Sequence, residues 1–116
     1  MNKLDVEAFL RNLHDKMIAF DVVYRPRDKN LDTLAEIEIA PIERHKVLKS
    51  LSVEDCFSGP NKDTFDTTKP DYFEFGKVVK GKTIYIKISL GLPGKRIDCM
   101  SFHIAEKPII YPFKSN

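Results

Sequence analysis

Thr83-Ile84-Tyr85-Ile86-Lys87-Ile88-Ser89-Leu90 alternates apolar and polar side chains without a break. Successive side chains of a strand point to opposite faces, so Ile84, Ile86, Ile88 and Leu90 share one face and Thr83, Tyr85, Lys87 and Ser89 the other. A run of this length and period is a half-buried strand, with one face against a core and one face wet. The rest of the chain must supply its neighbours and its cover.

The neighbours lie on either side in sequence. Tyr72 to Val79 reads as a strand, and Lys80-Gly81 is a two-residue hairpin turn. That turn pairs Val79 with Lys82, which sets Glu74 opposite Lys87 and Gly76 opposite Tyr85. Phe73, Phe75 and Val79 then fall on the core side, so turn and pattern agree. Downstream, Gly91-Leu92-Pro93-Gly94-Lys95 turns the chain again and Ile97 to Ile104 forms a third strand. Matching its apolar residues to the core puts Met100, Phe102 and Ile104 inside and Cys99, Ser101 and His103 on the opposite face. The longer second turn admits two registers. One sets His103 opposite Tyr85 and Ser101 opposite Lys87; a shift of two residues sets His103 beside Lys87. Under both, Glu74, Tyr85, Lys87 and His103 converge on one patch.

The N-terminal half supplies the cover. Val6, Phe9, Leu10, Leu13 and Met17 recur at helical spacing, with Asn2 or Asp5 as the cap. Phe20 to Arg25 reads as a short strand stopped by Pro26, followed by the basic turn Arg25-Pro26-Arg27-Asp28-Lys29-Asn30. Leu31, Leu34 and Ile37 suggest a helical turn or two after Asn30. Pro41 suits the first turn of a further helix ending near Leu51, with Ile42, Leu48 and Leu51 on its inner side. Ser52 with Asp55 can cap one more turn. Residues 56 to 70 read as a loop long enough to be functional. The expected fold is therefore α+β, with N-terminal helices packed on one face of a small antiparallel sheet. The 116 residues form one domain, 1–116, ending in an extended tail at 107–116 that holds Pro108 and Pro112 and lies over the body.

Composition narrows the function classes. With 42% apolar and 31% charged residues the chain can build a core without metals or disulfides. No stretch approaches the roughly 18 apolar residues of a membrane span, and Met1-Asn2-Lys3-Leu4-Asp5 does not open a signal peptide, so a cytoplasmic protein with no membrane partner is expected. Cys56 and Cys99 form no CxxC pair, and His14, His45 and His103 lack ligand spacing, so no metal and no cofactor are called for. A net charge of +2 permits nucleic-acid binding through a local patch only.

The patch has the groups that RNA cleavage without a metal needs. A base takes the proton of the 2′-hydroxyl, an acid protonates the leaving 5′-oxygen, and a cation stabilises the phosphorane. Glu74 is the candidate base and His103 the acid. Lys87 holds the phosphate, or acts as a base if its pKa is depressed. Tyr85 stacks on a base or donates to a phosphate oxygen. Arg25, Arg27, Lys62 and Ser101 are candidate RNA or phosphate contacts. The plain alternative is a wet sheet face in which Glu74 and Lys87 form an ordinary cross-strand ion pair and the N-terminal helix covers Tyr85.

Thr83-Ile84-Tyr85-Ile86-Lys87-Ile88, followed by Met100-Ser101-Phe102-His103, resembles the MqsR-type toxins of the RelE-like ribonuclease group. The resemblance extends over about residues 1 to 106, including Leu51-Ser52-Val53-Glu54-Asp55-Cys56-Phe57. It implies a RelE/MqsR-like fold and a bacterial endoribonuclease that cuts mRNA. A cognate antitoxin protein would be its partner, and the ribosome an optional third. It places Tyr85 on the family's catalytic tyrosine and His103 where the family carries a functional lysine. The family's loop lysine falls near Ser58, with Lys62 close by, and its glutamine falls near Phe73 or Glu74. A different class of function, a non-catalytic module that binds nucleic acid or protein through the wet face, a sheet edge or the apolar tail, fits the same residues.

Overall fold

A computed structural model describes residues 1–114; Ser115 and Asn116, the end of the expected tail, lie outside the described residues. Helix α1 (Lys3–Ala19) begins where the Asn2 side chain accepts the Leu4 N–H at 2.8 Å. It buries the five apolar residues that its spacing singled out, with Phe9 stacked on Phe73 and Phe75. Strand β1 (Val22–Tyr24) and helix α2 (Asp28–Glu36) follow. Helix α3 (Glu43–Ser50) starts after Pro41 and Ile42 rather than at them, and leaves Ile42 exposed. The expected extra turn is present as a 3-10 turn (Val53–Asp55) closed by reciprocal Ser52 and Asp55 bonds. Strands β2 (Cys56–Asn61), β3 (Tyr72–Val79), β4 (Lys82–Ser89) and β5 (Ile97–Ile104) complete the chain. Among the described residues, no helix is long and apolar enough to cross a membrane.

The fold is α+β, and its five strands run in the order β1-β5-β4-β3-β2. One core joins α1, α2 and α3 to the inner face of the sheet, centred on Ile84, Ile86, Ile88, Phe75 and Phe102. The β3–β4 register is the expected one, Glu74 with Lys87 and Gly76 with Tyr85. Lys80 (φ 49) and Gly81 (φ 81) both take the left-handed conformation that a twisted two-residue hairpin requires. Of the two registers open for β5, the structure adopts the one that pairs Tyr85 with His103 and Lys87 with Ser101.

Three expectations about the sheet are corrected. The sheet is mixed, not antiparallel: β1 runs parallel to β5, with Val22, Val23 and Tyr24 beside Ile97, Asp98 and Cys99. A hairpin dictates antiparallel pairing, but β1 and β5 are joined through the rest of the molecule and no turn sets their direction. Residues 56–61 are strand, not loop, pairing with β3 across two register shifts. Gly59-Pro60 conceals this strand, because proline is tolerated only where the N–H faces away from the ladder, as on an edge. Finally, β5 carries a bulge: Lys87 opposes Ser101 but Ile88 opposes Cys99, so Met100 is the extra residue. Cys99 therefore enters the core, where burial pushes its thiol up to about 12. Met100 turns to the polar face instead.

Beyond Cys99 the outer edge of β5 has no strand partner among the described residues, and α2 takes over. Asn30, 2% exposed, accepts the Phe102 N–H at 3.0 Å and donates to the carbonyls of Arg25 (2.8 Å) and Met100 (3.4 Å). Thr33 accepts the Ile104 N–H at 3.0 Å. Removing a buried partner exposes the full desolvation cost of the groups it leaves behind. Asn30→Ala is expected to lower stability by roughly 2–4 kcal/mol in urea denaturation. A loss below about 0.5 kcal/mol, the range of a surface substitution, would refute this account of the β5 edge.

Candidate functional site

Glu74, Tyr85, Lys87 and His103 meet on the polar face, half-buried, on three adjacent strands. The Tyr85 hydroxyl donates to Glu74 Oε2. Asn61, on β2, donates to Glu74 Oε1 at 3.3 Å and to Ser58 Oγ at 3.0 Å. The His103 ring lies 5.1 Å from the Tyr85 ring at 45°, and Phe57 lies 6.0 Å from the same ring. His103 Nδ1 is 2.9 Å from the Ile104 carbonyl. A carbonyl only accepts, so Nδ1 carries a proton and Nε2 is the nitrogen free to act. Burial, and then the hydrogen bond and charge of Glu74, hold the Tyr85 phenol well above its usual 10.0, with Arg27 pulling weakly the other way. Tyr85 is accordingly a proton donor in its bonds and not a base.

Lys87 is directed elsewhere. Its Nζ sits 4.2 Å from the centroid of the Tyr72 ring. No ion pair among the described residues joins it to Glu74, so the two are neighbours without being partners. Helix α1 packs on the inner face and does not cover Tyr85. The polar face is crossed by the C-terminal tail instead: a Cβ at Gly76 would stand 2.4 Å from the Tyr111 hydroxyl and 2.6 Å from Ile109 Cδ1. Glycine is what permits this approach.

Beside Lys87 a cleft of about 480 Å³ opens between the sheet and the loop after β2, lined by Arg25, Arg27, Lys62, Lys69, Tyr72 and Met100 among others. Its cations differ in what they are free to do. Arg25 forks onto Asp98 through Nε (3.1 Å) and Nη2 (2.6 Å), and Lys69 lies 3.5 Å from the same carboxylate. Arg25 thus chiefly ties β1 to β5. Arg27 and Lys62 are exposed and have no ion-pair partner among the described residues. The loop acids are used locally: Asp63 accepts the N–H groups of Phe65 (2.9 Å) and Asp66 (3.0 Å), and Asp66 that of Thr68 (3.1 Å). Ser101 is opposite Lys87 as expected, but it is 4% exposed and does not line the cleft.

Sequence reading missed Asn61, Tyr72, Lys69 and Met100. Tyr72 could have been found, since it shares parity with Glu74 in the same strand. Asn61 was hidden with β2, and Lys69 had no local pattern. Among the described residues no three His, Cys, Asp or Glu side chains converge to hold a metal ion. The face thus offers one carboxylate, one imidazole, the half-buried phenol of Tyr85 and several cations. The chain matches no known protein family, no curated protein and no solved structure.

The raised phenol has a consequence for stability. The folded state holds the Tyr85 proton more tightly than the unfolded chain, so this contribution is whole below pH 10 and is lost as pH rises beyond it. The stability difference between wild type and Tyr85→Phe is expected to be constant from pH 7 to about 9.5 and to shift against wild type above that, measured by denaturation at each pH. A difference that stays level up to about pH 11 would mean that the phenol is not held as described.

Proposed function

We propose that this chain is a metal-independent endoribonuclease that cleaves mRNA by attack of the 2′-hydroxyl on the adjacent phosphorus, and that it serves in the cytoplasm as the toxin of a toxin–antitoxin pair with a RelE/MqsR-like domain. The observation that carries the reading is the line Glu74–Tyr85–His103 across three strands, on the same face as a cleft whose Arg27, Lys62 and Lys87 have no ion-pair partner among the described residues. The toxin assignment rests on the sequence resemblance in β4 and β5.

Each residue then has a defined task. Glu74 takes the 2′-hydroxyl proton; each of its oxygens accepts one hydrogen bond and keeps a second lone pair. The 2′-oxygen bonds to phosphorus and the bond to the 5′-oxygen breaks. His103, as imidazolium, gives its Nε2 proton to that leaving oxygen. Lys87 and Arg27 stabilise the charge that builds on the non-bridging oxygens. Tyr85, kept protonated, orients Glu74 and presents its ring to the substrate. The products are a 2′,3′-cyclic phosphate and a 5′-hydroxyl.

One observation favours a second reading. A carboxylate already held by two donors, Tyr85 and Asn61, is what a structural site also contains. The face would then bind RNA without cutting it.

Purified protein is expected to cut RNA in EDTA and leave the cyclic phosphate, detected by end-group analysis. His103→Ala should slow cleavage by about 10²–10⁴-fold with an unchanged denaturation midpoint. Salt-sensitive binding with no cleavage by the wild type would select the second reading, and full activity in the His103→Ala protein would remove the acid assignment.

A further inference from the structure

The ribonuclease reading gives Tyr85 and His103 their tasks but leaves the tail beside them without one. There, the tail and the sheet border an open slot of about 530 Å³. Phe57, Tyr85 and His103 form its sheet side, and Pro108, Ile109 and Ile110 form its tail side. This volume falls in the range of pockets that hold small-molecule ligands.

The tail is fixed where it makes this wall. Ile109 and Tyr111 rest against Gly76, Phe113 packs on the core, and Lys29 of α2 pairs with Glu106. Ile110 nevertheless stands 86% exposed at the slot, although it is large and apolar. The walls are rings and aliphatic side chains with few polar groups, which suits the face of an aromatic ring more than a charged or sugar-like ligand.

Position identifies the ring. Tyr85 and Lys87 lie two residues apart on the same face of β4, a separation of roughly 7 Å. That is the scale on which a base and a neighbouring phosphate of an extended strand are separated, and the Lys87 end is where the cations without an ion-pair partner among the described residues stand. At the far lip of the cleft Phe65 is fully exposed, flanked by Lys62 and Lys69. Aromatic platforms interleaved with cations are how proteins hold single-stranded nucleic acid. An apolar side chain of a protein partner would also fit the slot, but it would leave the adjacent cations without a use.

We infer that the slot between the tail and the polar face takes one nucleobase of a single-stranded RNA whose phosphates lie in the neighbouring cleft, an inference that rests on the ribonuclease reading. The tail is therefore part of the RNA site. The base that enters is held between the Tyr85–His103 rings and the Pro108–Ile110 wall.

The test uses the full chain and a short 2′-O-methyl oligoribonucleotide, which lacks the attacking hydroxyl, together with its abasic counterpart carrying the same phosphates. Binding is followed by fluorescence anisotropy against salt. Wild type is expected to bind the abasic strand about tenfold more weakly, with the same salt slope. Ile110→Asp, at an exposed position, should weaken binding of the intact strand by a similar factor, and the two losses should not add. An Ile110→Asp protein that binds the intact strand like wild type, or two losses that simply add, would overturn the slot while leaving the ribonuclease reading in place. Absence of salt-dependent binding of either strand by wild type would overturn both.

Discussion

One buried side chain settles how the C-terminal strand meets its neighbours. The outer edge of β5 is divided: β1 pairs with Ile97–Cys99, and Asn30 and Thr33 of α2 satisfy the backbone from Met100 to Ile104. The handover falls at Met100, where the bulge also lies. The bulge solves a phase problem. Ile97 and Cys99 are odd-numbered apolar residues, whereas Phe102 and Ile104 are even-numbered, and a regular strand cannot point both pairs inward. One extra residue lets both face the core and sends Ser101 and His103 to the polar face. A bulge alone would disrupt the ladder and leave buried groups without partners, and Asn30 is the residue that takes them up.

This explains what could be read in advance. The β3–β4 pairing was legible because a two-residue turn permits one register and the isoleucines permit one face. The meeting of Glu74, Tyr85, Lys87 and His103 followed from that pairing. The swap of Cys99 and Met100 was not foreseen, although the change of phase after Asp98 is visible in the sequence. Strand β2 escaped notice because Gly59-Pro60 is a loop signal everywhere except at a sheet edge. The parallel seat of β1 and the role of Asn30 had no local signal. A polar residue that closes the backbone of a distant strand looks, in sequence, like any residue in a turn.

Whole-chain charge was a poor guide to the surface for a related reason. A net +2 conceals a local separation. Asp28, Asp32, Glu36 and Glu38 are exposed on and just after α2, while Arg27, Lys62, Lys69 and Lys87 line one cleft. The loop acids that share this cleft are engaged within the loop's own turns: the Asp66 N–H lowers the pKa of Asp63, and the Thr68 hydroxyl and then its N–H lower that of Asp66. Binding depends on the field where a ligand sits, and that field is set by which charges fold next to each other.

The arrangement of Glu74 and Lys87 shows how small energies can decide what a surface is able to do. Directly opposed across two strands, they are placed for an ion pair, which at an exposed position is worth about 0–1 kcal/mol. A lysine over an aromatic ring gains about 0.5–1 kcal/mol, a comparable amount. With the direct attraction so weak, Tyr72 suffices to draw the ammonium one way, and Asn61 with Tyr85 suffices to hold the carboxylate the other. Had the two paired, each would have quenched the other, leaving the face with neither a free cation beside the cleft nor a carboxylate held by Tyr85. Two aromatic hydroxyl residues and one amide keep the charges apart, and they do so at little cost because the bond they prevent was never strong.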